Sequence, residues 1–146
     1  MKKSWKVVGV CLSQRRADPK ENVGIGFLRK EFGLVGDSHA GTEKEVSLLA
    51  IESIFRLRME TGISAGPGCF AENITTKGTE LTTLPIGAQL QIGEAKLAVM
   101  QIGKDLSQSH TYYYQGYSLL PREGVFCKVI EDGEVKLGDM ITLVQD

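Results

Sequence analysis

The stretch AQLQIGEAKLAVMQI, residues 88–102, decides the fold class. Leu90 and Ile92 alternate with glutamines before a Gly93–Glu94 turn, and the same alternation of apolar and polar residues resumes after it. Such alternation on both sides of a short glycine turn is typical of a β-hairpin with one buried face. The segment therefore predicts a hairpin and a mainly β protein.

The segments around this hairpin predict further strands and one helix. Residues 124–144 repeat the pattern around Asp132–Gly133, which predicts a second hairpin. Residues 51–59 place apolar side chains at helical spacing and are followed by Gly62, a typical C-terminal cap, so a helix is predicted there. Shorter β-rich runs predict strands at residues 5–12, 31–35, 45–49 and 73–76.

Many short strands at this spacing favour a closed or nearly closed antiparallel β-barrel with one or two short helices. A chain of 146 residues with 42% hydrophobic content has the size and composition of a single domain, so one domain is expected over residues 1–146. One hydrophobic core is expected in consequence.

Composition and charge exclude several classes of protein. The chain carries 17 basic and 18 acidic side chains, for a net charge of −1, so bulk charge gives no basis for nucleic-acid or anionic-membrane binding. Its apolar runs are far shorter than the ~18 residues that a membrane span needs. The start, MKKSWKVV, has too short an apolar run for a signal peptide. We expect a cytoplasmic protein.

The cysteines and histidines show no metal-ligand spacing. Cys11, Cys69 and Cys127 are widely separated and odd in number, which argues against both a disulfide framework and a structural zinc site. The two histidines, His39 and His110, lie too far apart in sequence to form a local metal motif. No metal site is predicted.

Three glycine-containing loops carry the polar residues that could do chemistry. They are GDSHAG (36–41), PGCFAEN (67–73) and PREGVF (121–126). Asp37 and His39 lie on a predicted turn between strands, where they either form part of a site or brace the turn itself. Arg122 is suited to bind phosphate or carboxylate, or it forms a surface ion pair with Glu123.

The second loop leaves similar alternatives open. Cys69 would be reactive only if a cation or a helix end lowered its pKa, and a packed, unreactive thiol is the commoner case. Glu72 and Asn73 either orient a polar ligand or cap the loop. Further along, four tyrosines within residues 112–117 either line a pocket or cover the barrel mouth, and coverage is the commoner role of such aromatics.

Four segments carry a resemblance that extends over nearly the whole chain. They are GDSHAG (36–41), EVSLLAIES (45–53), PGCFAENITT (67–76) with the following LPIGAQLQIGEAKLAVMQIGK (84–104), and PREGVFCKVIEDGEVKLGDMITL (121–143). In this order they resemble the MOSC family, the domain found at the C-terminus of molybdenum cofactor sulfurases and as short stand-alone bacterial proteins. The resemblance implies a β-barrel and a role in handling sulfur or the molybdenum cofactor.

The resemblance also implies a set of site residues. It places His39, Glu72, Asn73 and Arg122 at motif positions near the site. We expect these four, together with Asp37 and Lys104, to bind the molybdenum–pterin cofactor, with Lys104 and Arg122 as cationic partners of its phosphate. Cys69 and His39 are the candidates for a catalytic role. A cysteine desulfurase, which carries pyridoxal phosphate, or a molybdoenzyme would be the partner.

One departure from the family pattern affects the expected chemistry. Where the family has a cysteine proposed to carry sulfur or to ligate molybdenum, this chain has Leu106, followed by Ser107. A hydroxyl does not store transferable sulfur. Cys127 stands in place of a common alanine on a strand face expected to be buried, which leaves Cys69 as the surrogate thiol.

Three functions are therefore compatible with the sequence. The first is binding of the molybdenum–pterin cofactor, with assistance in its sulfuration or in sulfur transfer. The second is a binding or interaction module that kept the barrel and lost the thiol, since a fold alone does not fix a function. The third is an unrelated hydrolase that uses Asp37 and His39, an idea that rests only on their proximity in sequence.

Overall fold

The computed structural model describes residues 5–15, 19–103 and 113–144. These residues form a mainly β fold with two short helices, as predicted. The strands are β1 (Lys6–Leu12), β2 (Glu21–Asn22), β3 (Ile25–Arg29), β4 (Gly33–Leu34), β5 (Val46–Ala50), β6 (Ile74–Lys77), β7 (Gln89–Ile92), β8 (Ala95–Ile102), β9 (Val125–Glu131), β10 (Gly133–Lys136) and β11 (Ile141–Val144). The helices are α1 (Ile51–Thr61) and α2 (Leu120–Glu123).

The strands pair into two sheets. Eight of them follow the order β11-β7-β8-β9-β5-β6-β1-β2, and the other three follow the order β10-β3-β4. The backbone N–H groups of Val7 and Ile141 donate to the carbonyls of Asp139 and Trp5, at 2.9 and 2.8 Å, and so tie β1 to the start of β11. Within the described ranges these contacts bring the sheet ends together, but the strand pairings do not close a barrel.

One strand pair corrects the prediction of an entirely antiparallel fold. Strands β5 and β6 are parallel, with Leu48 opposite Ile74. Parallel neighbours need a long crossover connection, usually with a helix. Helix α1 and the loop that follows it supply this connection. The parallel pairing places the start of β6 beside the start of β5. The second glycine loop, which leads into β6, therefore ends next to the loop that leads into β5.

Strand β5 lies at the centre of the molecule, with all five residues buried. Leu48 packs into the main core between the sheets, whereas Leu49 packs with Ile54 of α1, Phe70 and Leu119 in a smaller core. Because both faces of β5 are covered, its sequence is mostly apolar rather than alternating, and Ser47 is its one polar residue. The smaller core holds α1, α2 and the second glycine loop against the sheet.

The local predictions around α1 and the first hairpin are confirmed. Helix α1 ends at Thr61 and is capped by Gly62, which adopts a left-handed conformation at φ 76° and donates to the Arg58 carbonyl at 2.8 Å. Strands β7 and β8 pair in register around the Gly93–Glu94 turn, with Leu90 opposite Leu97.

The second predicted hairpin is wrong. Strands β9 and β10 follow one another in sequence, but β9 pairs with β5 and β8, whereas β10 pairs with β3 in the other sheet. Gly133 carries the chain between the sheets, where a Cβ would stand 2.3 Å from the Glu94 carbonyl carbon. Asp132 accepts a hydrogen bond from Lys30 N rather than forming a hairpin turn. The absence of a side chain at Gly133 therefore allows its backbone to pack closely against that of Glu94.

Candidate functional site

A buried ion pair anchors the first glycine loop. The Lys20 ammonium lies 2.7 Å from Asp37 Oδ1, and the two side chains are 1% and 0% exposed. The same oxygen accepts the N–H of Ser13 at 3.0 Å, and Asp37 Oδ2 accepts the N–H of His39 at 3.0 Å. Burial alone would raise the pKa of Asp37, but contacts with His39 and Lys20 hold it well below its usual range. Asp37 is therefore ionised and fully engaged within the fold.

Lys20 also joins the first loop to the second. Its backbone N–H donates to the Gly68 carbonyl at 2.9 Å, while its side chain reaches Asp37. Gly68 has φ +91°, and a Cβ there would stand 2.1 Å from the Lys20 carbonyl oxygen. The two loops thus meet through one residue that the sequence assigned only to a polar connecting stretch.

His39 is the part of this cluster that reaches the surface. Its side chain is 36% exposed, and its Nδ1 lies 3.3 Å from the Lys20 ammonium. No hydrogen bond joins its Nε2 to any residue in the described ranges. The imidazole therefore contacts Lys20 through Nδ1, and the opposite edge of the ring faces solvent.

Glu72 lies inside the protein rather than at a surface. It is 0% exposed, and its Oε2 accepts the Thr75 hydroxyl at 2.6 Å and the Gly68 N–H at 3.0 Å. Its Oε1 has no hydrogen-bond partner within the described ranges. Burial raises the pKa of Glu72 above its usual value. The residue braces the second loop, and its role in cofactor binding stays a prediction.

We expect the replacement Glu72→Gln to change how stability depends on pH. Since the pKa of Glu72 is higher in the folded state, the folded state binds the proton more tightly. Stability is then greatest below the unfolded pKa of about 4.3 and falls, by about 1.4 kcal/mol per pH unit, until the pH reaches the folded pKa. The neutral amide removes this loss. Urea unfolding at pH 5 and pH 8 measures the difference.

The matched control for this experiment is Glu80→Gln, which changes the same charge at an exposed position. It should leave the pH profile of the wild type unchanged. Parallel profiles for the wild type and Glu72→Gln would show that Glu72 has the same pKa in both states, against the expectation from its burial.

Asn73 uses its polar atoms within the fold. Its Oδ1 accepts the Ser47 N–H at 3.0 Å, and its Nδ2 donates to the Cys11 carbonyl at 3.2 Å. The side chain thereby connects β5 to β1 while its own backbone N–H bonds to Ser47. The sequence left two roles open for Asn73, contact with a ligand and a structural role in the loop. These hydrogen bonds support a structural role, and contact with a cofactor stays a prediction.

The third loop presents an exposed cation. Arg122 lies exposed on α2 and forms no ion pair with any residue in the described part of the chain. The surface pair with Glu123, considered from the sequence, is absent because Glu123 accepts the Ser53 hydroxyl at 2.9 Å and pairs with Arg56 of α1. This contact fixes α2 on α1.

Arg56 and Glu123 line a separate cleft of about 570 Å³ that contains none of the predicted site residues.

Comparison with known proteins identifies the fold and the family. A family model described as the MOSC domain matches residues 35–142, about three quarters of the chain and all three glycine loops. The chain belongs to the MOSC domain family. Membership links it, at the level of the family, to molybdenum-cofactor-related sulfur chemistry. A search of curated proteins gave no significant match.

Solved structures share this MOSC fold. The YUAD protein from Bacillus subtilis is 17% identical with a TM-score of 0.73, and the match covers 96% of each chain. YiiM from Geobacillus stearothermophilus is 19% identical with a TM-score of 0.76 over 97% of this chain and 75% of that one. YiiM from Escherichia coli is 21% identical with a TM-score of 0.69 over 100% and 71%. At these identities the likeness establishes the fold alone.

The cysteines of this MOSC domain differ in accessibility. Cys11 and Cys127 are buried, and burial raises the pKa of both thiols, that of Cys127 to about 12. Cys69 is half-buried, and its Sγ accepts the Gly66 N–H at 3.5 Å. Cys69 is thus the one cysteine of the chain that reaches the surface. Its catalytic role, like that of His39, stays a prediction.

Two positions on which the family comparison depends lie outside the described residues. These are Lys104, expected to bind the cofactor, and Leu106, which replaces the family cysteine. Of the tyrosines beyond them, Tyr114 packs edge-on against Phe70 at a centroid distance of 5.6 Å, and Tyr117 closes a tight turn with it. Tyr114 therefore packs on the smaller core, and a role of the four tyrosines in covering a barrel mouth stays a prediction.

Two further properties concern the described residues only. No helix among them is long and apolar enough to cross a membrane. No group of three or more histidine, cysteine, aspartate or glutamate side chains within these ranges is arranged to hold a metal ion.

The structure brings together the first two loops and connects the third more indirectly. Asp37, His39, Gly68 and Glu72 belong to one network through Lys20, a residue that the sequence did not single out. Arg122 is attached through the packing of α2 in the smaller core, next to Leu119 and Phe70. Among the predicted site residues that the structure describes, the accessible ones are therefore His39, Arg122 and, in part, Cys69.

Proposed function

We propose that this MOSC domain binds the molybdenum–pterin cofactor through the accessible side chains of its glycine loops. Membership of the MOSC family carries the proposal, because it links the chain to molybdenum-cofactor-related sulfur chemistry. Fold likeness to YUAD and YiiM adds support for the architecture only.

The residues present suit an anionic ligand rich in oxygen atoms. Arg122 offers an exposed guanidinium that forms no ion pair with the described residues. Guanidinium groups bind phosphate oxygens through two parallel hydrogen bonds. His39 offers one exposed ring nitrogen. Arg122 would hold the phosphate, and His39 would contact the pterin or its metal-bound oxygens. When bound, the cofactor would supply a metal centre that accepts sulfur and exchanges electrons.

A second candidate function is binding without sulfur transfer, and the state of the thiols favours it. Cys11 and Cys127 are buried with raised pKa values, so neither supplies a thiolate at the surface near neutral pH. Sulfur transfer then depends on Cys69 alone. Incubation with a cysteine desulfurase and free cysteine, followed by mass spectrometry, distinguishes the two functions. A persulfide on Cys69 indicates transfer, and its absence indicates a binding module.

We expect Arg122→Ala to weaken cofactor binding about tenfold, the effect of losing one charge-assisted contact. The protein would be produced in cells supplied with molybdate, and molybdenum and pterin would be measured after purification and by titration. Arg58→Ala removes the same charge from another exposed position, on α1, and should leave binding unchanged. A wild-type protein that contains neither molybdenum nor pterin, and takes up neither, would contradict the proposed function.

A further inference from the structure

The surroundings of His39 determine where its ring proton lies. Nδ1 is 3.3 Å from the Lys20 ammonium, and an ammonium group can only donate a hydrogen bond. The Ser38 hydroxyl, at 3.5 Å from the same nitrogen, can also donate. Asp37 Oδ2 is 3.8 Å from Nδ1, beyond ordinary hydrogen-bond length. Nδ1 of the neutral ring therefore acts as an acceptor.

We infer that neutral His39 carries its proton on Nε2 and serves as a hydrogen-bond donor to a ligand. Lys20 is the positioning residue for this tautomer, since its buried ammonium is held by Asp37 and points at Nδ1. The exposed edge of the ring then presents an N–H group. Lys20, which lies in a polar connecting stretch of the sequence, thus sets the direction of the hydrogen bond.

This arrangement is opposite to that of an aspartate–histidine pair in a hydrolase. There a carboxylate accepts the proton of Nδ1 and leaves Nε2 free to act as a base. Here the Lys20 ammonium lies closer to Nδ1, at 3.3 Å, than the Asp37 carboxylate does, at 3.8 Å. His39 is thus unsuited to general-base chemistry, which removes the physical basis of the hydrolase considered from the sequence.

The Nε2–H group also determines which kind of ligand atom can contact His39. Resting on the proposed function, this contact requires a hydrogen-bond acceptor at that point, such as a phosphate, carbonyl or metal-bound oxygen. An N–H group of the ligand, such as a pterin ring donor, would not fit. His39 would therefore contact an oxygen atom of the molybdenum–pterin cofactor rather than one of its N–H groups.

The test is ¹⁵N NMR of the histidine rings at about pH 8.5, above the usual histidine pKa of about 6.5. We expect Nε2 of His39 to show the protonated shift and Nδ1 the unprotonated shift. The chain has two histidines, so a His39→Ala spectrum identifies the signals. A proton on Nδ1 of His39 in the wild type would overturn the inference.

Two substitutions of Lys20 test its positioning role. Lys20→Arg keeps a group that only donates and should preserve the Nε2 tautomer. Lys20→Met removes the donor, so we expect a measurable fraction of His39 to move its proton to Nδ1, toward Asp37. An unchanged tautomer in a folded Lys20→Met variant would show that lysine does not set it.

Ligand contact is tested separately by titration with the molybdenum–pterin cofactor. His39→Ala should weaken binding about tenfold, and His39→Gln should recover part of the loss because its amide N–H can donate. Equal affinities for the wild type and His39→Ala would overturn the ligand contact. Failure of the wild type to bind would refute the proposed function, while the tautomer result would stand on its own.

Discussion

Replacing Asp37 with alanine should lower the free energy of unfolding by about 3–5 kcal/mol, because it leaves the buried Lys20 ammonium without a counter-ion. The Ser13 and His39 N–H groups lose their acceptor in the same variant. Urea unfolding followed by the fluorescence of Trp5, the single tryptophan of the chain, measures the change. We expect a variant with a lower unfolding midpoint and an unaltered dependence on urea.

The double variant Lys20→Met/Asp37→Leu is the control for this prediction. It removes both charges, so no unpaired ion remains, and it should lose less stability than Asp37→Ala alone. A single variant within about 1 kcal/mol of the wild type would mean that water reaches Lys20. The depressed pKa of Asp37 allows a second test, based on pH. The Asp37 carboxylate stabilises the fold at pH values above its unfolded pKa of about 3.9, and this stabilisation is lost as the pH falls below that value.

Gly68→Ala is expected to have the second large effect, a loss of about 3 kcal/mol or more. The residue has φ +91°, where an alanine is strained by about 1–2 kcal/mol. Its Cβ would in addition stand 2.1 Å from the Lys20 carbonyl oxygen, which is backbone and cannot rotate away. Thermal unfolding should therefore show a clear decrease in Tm.

Gly66→Ala provides a control two residues away, immediately before the same loop. A Cβ at Gly66 meets nothing within 4 Å, and its φ is not in the left-handed range. Its effect should lie within about 0.5 kcal/mol of zero. Similar losses in both variants would indicate that the loop tolerates no side chain at all, for reasons other than the contact with Lys20.

The fold was predictable where its signals are local. The alternation around Gly93–Glu94 and the apolar spacing that ends at Gly62 report on neighbours within a few residues, and both predictions are confirmed. The pairing of β10 with β3 and the parallel pairing of β5 with β6 depend on residues far apart in sequence. Strand β3 was missed because Ile25 and Phe27 are exposed on one side and Gly26 packs on the other, so its alternation is weak.

The candidate site was predictable in its position and less so in its roles. Asp37 and His39 were found because acidic residues and histidines on glycine turns are common at functional sites. Lys20 was missed because nothing in its local sequence distinguishes a buried lysine from a solvated one. Glu72 and Asn73 carry polar groups that suit either a ligand or the fold, and only burial and hydrogen bonds tell the two apart.

Lys20 holds one glycine loop with its backbone and the other with its side chain. Local opening of either loop must therefore break a backbone hydrogen bond or expose an unpaired charge, and both contacts belong to one residue. We expect the loops to open and close as a single cooperative unit. A ligand that binds at His39 would then slow hydrogen exchange at Gly68 as well, although the two positions lie 29 residues apart in the chain.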